Sequence, residues 1–401
     1  MALDYIASLS WLSLLLLLGV LISIIAKRFN LPQILLLILV GVGFGFFGWF
    51  TFDAEFLTGF GLFALIMIIF DATSKFKLKE VAEFYPVALK LTGLFIVING
   101  FILSLATQVV LVGFSIEGIL FSILFGFMMA GTSPSTMLSM LEGKREKVAK
   151  ILEFESILNT PFIIIIPLMI LYYLSGDLVT SDLALYLFRG VMAGIGTGLV
   201  LGFVAFRLMK KEYMENISPL VVVAMALVSF TLAEYIGGNG VLSVTTLGIV
   251  YSVSVVKEKE TMGKFVDLFT SFLTIVIFIL LGMVIAVPSS WLFLAKSLGL
   301  FMVYLAVRYL VICLALKQEK LVFKEKLFMT LSVSKGIGEA VIALVIIATM
   351  GDLGDVTYLG EIIKMVFLFI FYSIVLSSFV VRFTDFFLND KNRSSGNRKR
   401  D

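Results

Sequence analysis

Thirteen apolar stretches follow one another along this chain, and their length leaves few folds open. A helix needs roughly 20 residues to cross a hydrocarbon core of about 30 Å. The stretches run approximately 6–26, 32–50, 55–74, 84–112, 116–140, 149–175, 183–208, 217–236, 239–256, 264–287, 291–315, 327–350 and 360–387, each long enough to cross. Of the 401 residues, 60% are hydrophobic and only 15% charged. A soluble domain averages about 25% charged residues and cannot bury this much apolar surface. The expected fold is therefore an all-α membrane protein with about thirteen transmembrane helices.

The loops support that count. Basic residues recur in every second one: Lys27 and Arg28; Lys75, Lys77 and Lys79; Lys144, Arg145, Lys147 and Lys150; Arg207, Lys210 and Lys211. The series continues with Lys257, Lys259 and Lys264, then Lys317, Lys320, Lys324 and Lys326, then the tail. The alternate loops (51–54, 113–115, 176–182, 237–238, 288–290 and 351–359) carry no Lys or Arg, only Asp53, Asp177, Asp182, Asp352 and Asp355. An error in the number of crossings would scramble this pattern. By the positive-inside rule the basic loops and the C-terminus are cytoplasmic and the N-terminus lies outside, in a plasma or inner membrane. Met1–Tyr5 has no basic residue, so the first stretch reads as a retained helix rather than a cleaved signal. Residues 389–401 form a short basic tail, expected to be disordered.

An odd count with ends on opposite sides suits two inverted six-helix repeats, about 6–175 and 217–387, joined by a linking helix at about 183–208. Segments five and twelve are then equivalent, and both are interrupted. Segment five contains Gly131-Thr132-Ser133-Pro134, and segment twelve contains Ser334-Lys335-Gly336-Ile337-Gly338. One such interruption is an ordinary kink; two in matching positions point to a midplane site between broken helices 5 and 12. Gly190, Gly194, Gly198 and Gly202 follow the small-xxx-small spacing of close helix packing.

A charge at mid-bilayer costs about 2.5–3.5 kcal/mol on insertion scales, so each one needs a reason. Lys90, Arg189, Lys296, Lys364 and Arg382 lie near helix ends and can snorkel, and Glu153 and Asp267 read as interfacial. Asp71, Glu155, Arg308, Lys335 and Glu339 lie deeper, with Glu234 closing segment eight. They are either ion pairs that hold the bundle together or parts of a site. Lys335 and Glu339, four apart, share a face if the helix is continuous there. Thr132, Ser133, Ser156, Asn159 and Thr160 add neutral oxygens, and with a carboxylate such as Glu339 they make the ligand set of a hard cation. The chain has no His and one Cys, Cys313. Proton chemistry thus falls to carboxylates or a lysine, and disulfides and thiolate metal sites are excluded. No nucleophile–base arrangement, cofactor fingerprint or nucleic-acid motif is evident, so neither an enzyme nor a bound cofactor is expected.

The residues also resemble the monovalent cation:proton antiporter superfamily, in its sodium/proton exchanger branch, over essentially the whole chain. Leu31-Pro32-Gln33 running into Gly41-Val42-Gly43 resembles that family's second helix. Phe70-Asp71-Ala72 resembles its F-[DE]-A-G, with Thr73 in place of the glycine, and Gly131-Thr132-Ser133-Pro134 its T-D-P. Glu155-Ser156-Ile157-Leu158-Asn159-Thr160 resembles E-S-x-x-N-D, and Val241-Leu242 through Gly248 the helix after the eighth. Ala306-Val307-Arg308-Tyr309-Leu310 resembles the A-R-x-L region, and Ser334-Lys335-Gly336 the L-R-G of broken helix twelve. The resemblance implies a buried Glu155–Arg308 pair and an ion site lined by Thr132, Ser156 and Asn159, with Asp71 near its entrance. It also implies a homodimer that exchanges Na+ or K+ for protons by alternating access. Two departures stand out: Ser133 and Thr160 replace the family's two site aspartates, and neither titrates. Glu339, where relatives carry a small residue or proline, is a candidate replacement carboxylate with Lys335 beside it. A transport-deficient regulatory or sensor subunit, and a carrier of another small solute, are the alternatives.

Overall fold

The fold is described by a computed structural model covering residues 2–29, 31–47, 54–75, 78–113, 116–132, 147–174, 183–209, 218–254, 258–284, 290–349 and 357–388. Its helices are α1 (Ala2–Phe29), α2 (Gln33–Phe47), α3 (Ala54–Ser74), α4 (Leu78–Thr107), α5 (Ile116–Met128), α6 (Lys147–Leu174) and α7 (Leu183–Met209). They continue with α8 (Ser218–Tyr235), α9 (Gly240–Val253), α10 (Lys259–Val284), α11 (Trp291–Ala315), α12 (Phe323–Leu331), α13 (Ile337–Thr349), α14 (Thr357–Arg382) and α15 (Thr384–Leu388). Among the described residues there is no strand, and 8 helices are long and apolar enough to cross a membrane. Shorter apolar helices lie at Gln33–Phe47, Gly118–Met128, Gly240–Val253 and Gly338–Ile347. The protein is an all-α, multi-pass membrane protein. Segment twelve is divided between α12 and α13, and the helical part of segment five stops at Met128. Ser133, Pro134 and the rest of segment five lie outside the described residues.

The helix contacts can be set against the expected inverted repeats. Under the expected equivalence α2 matches α9, α3 matches α10 and α4 matches α11. α2 packs on α10 and α9 on α3, contacts that a two-fold axis in the membrane plane would exchange. α3 packs on α10 and α4 on α11, contacts that the same axis would map onto themselves. α5 lies against α4 and α6, while α13 packs on α3 and α6. Both broken segments thereby meet around α6, the helix that carries Glu155 and Asn159.

Small residues set the closest approaches. Without a hydrophobic force between helices in lipid, packing distance governs association. On α7, a Cβ at Gly194 or Gly198 would run into the carbonyl of Asn239 or Ser243 on α9, and one at Gly202 would meet Val250. Gly190 instead offers its carbonyl to the Asn239 amide at 2.9 Å. α2 and α10 approach as closely, with Gly41 against Ile279 and Gly45 against Met283.

Several helices begin before their apolar stretches, α1 at Ala2 and α4 at Leu78 among them. α10 starts at Lys259, not near 264, because the Lys259 ammonium turns back to the carbonyls of Ser252 (2.6 Å) and Ser254 (3.3 Å). With its charge satisfied at the end of α9, the residue joins the helix instead of the loop.

Gly198→Val is expected to destabilise the α7–α9 contact by about 1–3 kcal/mol through overpacking. Gly196→Val, with no atom near its Cβ, serves as the neutral control. Thermal unfolding of the purified protein in detergent, comparing the two variants, checks this.

Candidate ion site at the crossing of the broken helices

A helix that stops inside a membrane leaves carbonyls or amides without partners, and lipid offers none. After Met128 the backbone makes two more turn-like bonds, Met129 N–H to Phe125 O and Ala130 N–H to Phe127 O, and then leaves helical geometry. Across the crossing, α12 closes with the Ser332 amide on the Phe328 carbonyl, and residues 332–336 run outside helical structure to α13. The Lys335 amide is tied to Ser373 Oγ of α14 at 3.0 Å.

Each broken end receives a charge of the right sign. The Lys335 ammonium, fully buried, donates to the Met129 carbonyl (2.6 Å), to the Gly131 carbonyl and to the Tyr304 hydroxyl (2.9 Å). It thus neutralises the negative end of α5. Glu339 does the converse for α13: its Oε2 accepts from the Gly336 amide at 2.9 Å, on the positive end of that helix. Lys335 and Glu339 form no salt bridge with each other. Their four-residue spacing would put them on one face only of an unbroken helix, whereas Lys335 lies in the non-helical 332–336 segment and Glu339 in α13.

The other oxygen of Glu339 is the notable atom. Oε1 is buried and has no hydrogen-bond partner, as is Oδ1 of Asn159. Both lie over adjacent residues of the α5 break. A Cβ added at Gly131 would sit 2.8 Å from Glu339 Oε1, and Asn159 Nδ2 donates to Thr132 Oγ1 at 3.0 Å. Glycine at 131 is what lets the carboxylate come so near the backbone. Pro161, inside α6, has no amide to give the Ile157 carbonyl one turn earlier, which leaves a further acceptor on that helix. Ser156 and Thr160 direct their hydroxyl protons along α6, to the carbonyls of Glu153 and Ser156, both at 2.8 Å. Ser156 is buried; Thr160 is partly exposed.

Glu155 and Arg308 join α6 to α11 by a two-pronged pair, Nη2 to Oε2 at 2.7 Å and Nη1 to Oε1, with both side chains fully buried. The guanidinium also lies 4.5 Å from the centre of the Phe95 ring on α4. Asp71, on α3, has its Oδ1 buried without a partner, and its Oδ2 is paired. It bonds Lys75 at 2.8 Å, and Lys75 reaches Asp267 of α10. Burial lowers the Lys75 pKa, but the facing carboxylates of Asp71 and Asp267 outweigh it and the net shift is upward. Tyr304 escaped the sequence reading, although it lies one helical turn before Arg308 on the same face of α11.

A bundle of apolar helices with two broken segments crossing beside a buried carboxylate defines a membrane carrier of antiporter architecture. The family model described as sodium/hydrogen exchanger, transmembrane, matches residues 13–385, and the chain belongs to that family. Among curated relatives it is similar to the probable Na(+)/H(+) antiporter 2 of Methanocaldococcus jannaschii, 26% identical over 305 residues and covering 70% of each chain. It is also similar to the K(+)/H(+) antiporter NhaP2 of Shewanella oneidensis, 26% identical over 292 residues. That match covers 68% of this chain and 48% of the relative, about half its length. The solved structure of the sodium proton antiporter MjNhaP1 from Methanocaldococcus jannaschii at pH 8 shares the fold, with a TM-score of 0.82 at 23% identity, covering 94% of this chain and 99% of that one.

Removing one partner of the Glu155–Arg308 pair leaves a buried charge uncompensated, which costs about 3–5 kcal/mol. Glu155→Gln and Arg308→Met should each lower the unfolding temperature sharply. The double variant should recover most of the loss, and a thermal double-mutant cycle in detergent measures the coupling.

Proposed function

We propose that the protein exchanges a monovalent cation, Na+ or K+, for protons by alternating access, with Glu339 as the exchanging carboxylate. The observation that carries this reading is the unpartnered, buried Oε1 of Glu339 beside the α5 break. A buried carboxylate oxygen without a donor is costly. A proton or a cation relieves that cost, but both cannot occupy the same lone pairs. Competition of this kind is the chemical requirement for antiport. Asn159 Oδ1, Thr132 Oγ1 and the hydroxyl oxygens of Ser156 and Thr160 are hard neutral donors on the same helix and break. Ser133 belongs to the proposed set by its place in the sequence.

The names of the relatives, Na(+)/H(+) and K(+)/H(+) antiporters, support the ion class. In this chain neither Ser133 nor Thr160 can carry the proton. Glu339 would supply the charge from the opposite broken helix, so the site would be moved across the crossing, not lost. The Glu155–Arg308 pair would tie α6 to α11 so that these helices move as one body. Asp71 lies outside the ligand set, at a cytoplasmic ion network with Lys75 and Asp267. Lys75 and the other basic loops would face the cytoplasm of a plasma or inner membrane, with the N-terminus outside. The two repeats would be 6–175 and 217–387, linked by α7, and the carrier would work as a homodimer.

In liposomes with a trapped pH dye and an imposed proton gradient, addition of Na+ or K+ should produce a dye response. Glu339→Gln should abolish it, while Asp71→Asn should leave at least a tenth of the rate. Full flux in Glu339→Gln would remove the carboxylate from its assigned role. The replacement of both family aspartates favours a second reading, a non-transporting regulatory subunit. A folded wild type that responds to no monovalent cation would support that one instead.

A further inference from the structure

The crossing holds a second place that is built like an ion site, and it is already filled. The Lys335 ammonium is fully buried and forms no ion pair among the described residues. Its charge is met by two backbone carbonyls, Met129 and Gly131, and by the Tyr304 hydroxyl, with the Tyr304 ring centre 4.4 Å away. Three donors meet three acceptors, so the group is fully satisfied. Carbonyls freed by a helix break, a hydroxyl and an aromatic face are the groups with which proteins replace the hydration shell of a monovalent cation. Each oxygen belongs to an element held elsewhere: the carbonyls to the end of α5, and Tyr304 to α11 between Phe301 and Phe369. Deleting the ammonium would not by itself remove the oxygens from their places.

We propose that the carbonyl–hydroxyl cluster of Met129, Gly131 and Tyr304 is a monovalent-cation seat, sized for ammonium or K+, that the chain's own Lys335 occupies permanently. The tethered ammonium clamps the broken end of α5 to the 332–336 segment. It also closes the crossing to a second free cation, so that one exogenous ion binds, at Glu339. The seat itself stands on the geometry of Lys335, and its consequence for the number of ions bound rests on the antiport reading above. The preference follows from size. A seat that holds an –NH₃⁺ group 2.6 Å from the Met129 oxygen and 2.9 Å from the Tyr304 oxygen matches ammonium or K+ better than the smaller Na+ or Li+.

The test uses Lys335→Met, which keeps the aliphatic stem and removes only the charged end. Glu339→Gln is the background, because it removes the exchange carboxylate and leaves the seat alone. Thermal unfolding of the full chain in detergent is measured in choline, ammonium, potassium, sodium and lithium chloride. Glu339→Gln alone, with the seat filled, should show no cation-specific stabilisation. Glu339→Gln/Lys335→Met should unfold at lower temperature in choline chloride and recover saturably with ammonium or K+, at concentrations at least tenfold below those of Na+ or Li+. Glu339→Gln/Lys335→Arg, which keeps a positive charge there, should not respond. If the Lys335→Met protein folds only when prepared in ammonium or potassium chloride, that also supports the seat. An absent or non-selective response in the double variant, failure to fold in every salt, or the same ammonium response in Glu339→Gln alone would overturn it. Flux by the wild type is read separately, so a carrier that moves no cation would sink the antiport reading and leave the seat standing.

Discussion

A backbone that leaves helical geometry within a bilayer must find partners inside the protein, and the centre of this molecule is arranged around that requirement. α5 ends in carbonyls and α13 begins with amides, both remote from water. Lys335 answers the first and Glu339 the second. Each charge is stabilised by the broken end it faces, and each break is tolerable because the charge is present. Neither could be removed alone without leaving the other exposed to an apolar interior.

Upon this arrangement rests the choice of which groups remain available. Lys335 is consumed by three acceptors, and Arg308 spends its fork on Glu155. Asp71 is engaged at the end of α3 with Lys75. What is left at the crossing is one oxygen of Glu339 and one of Asn159, both buried and both without a donor. Among the described residues a few other buried polar atoms also lack a partner, Asp71 Oδ1 and Asn99 Oδ1 among them, but Glu339 Oε1 is the carboxylate oxygen left bare beside the α5 break, where a positive charge would satisfy it.

Much of the fold was legible in the sequence because lipid imposes a simple rule. Runs of about 20 apolar residues must cross. The glycine ladder on α7 was readable because close approach in lipid demands small residues at fixed spacing, and three of its four glycines face α9 as a Cβ test would require. The break in segment five was legible in Gly131-Thr132-Ser133-Pro134, and that in segment twelve in its paired glycines. The direction of Lys335 was not. Spacing alone set it beside Glu339, and only its place within the break sends it across to the end of α5 and to Tyr304. Tyr304 itself looked like one more aromatic residue in an apolar run. Its distinction lies in a partner 31 residues further along the chain.

The sequence by itself determined the solvent, the helical class, the order of the segments and which residue types could carry charge through the membrane. Hydrophobic length and loop charge are local properties, and one chain is enough to read them. The tertiary structure decided which charges meet: Glu155 with Arg308 across 153 positions, and Lys335 with Met129 across 206. It also decided which oxygen is left over. Those outcomes depend on where broken helices cross and which carbonyls the crossing exposes, and no spacing along the chain encodes them.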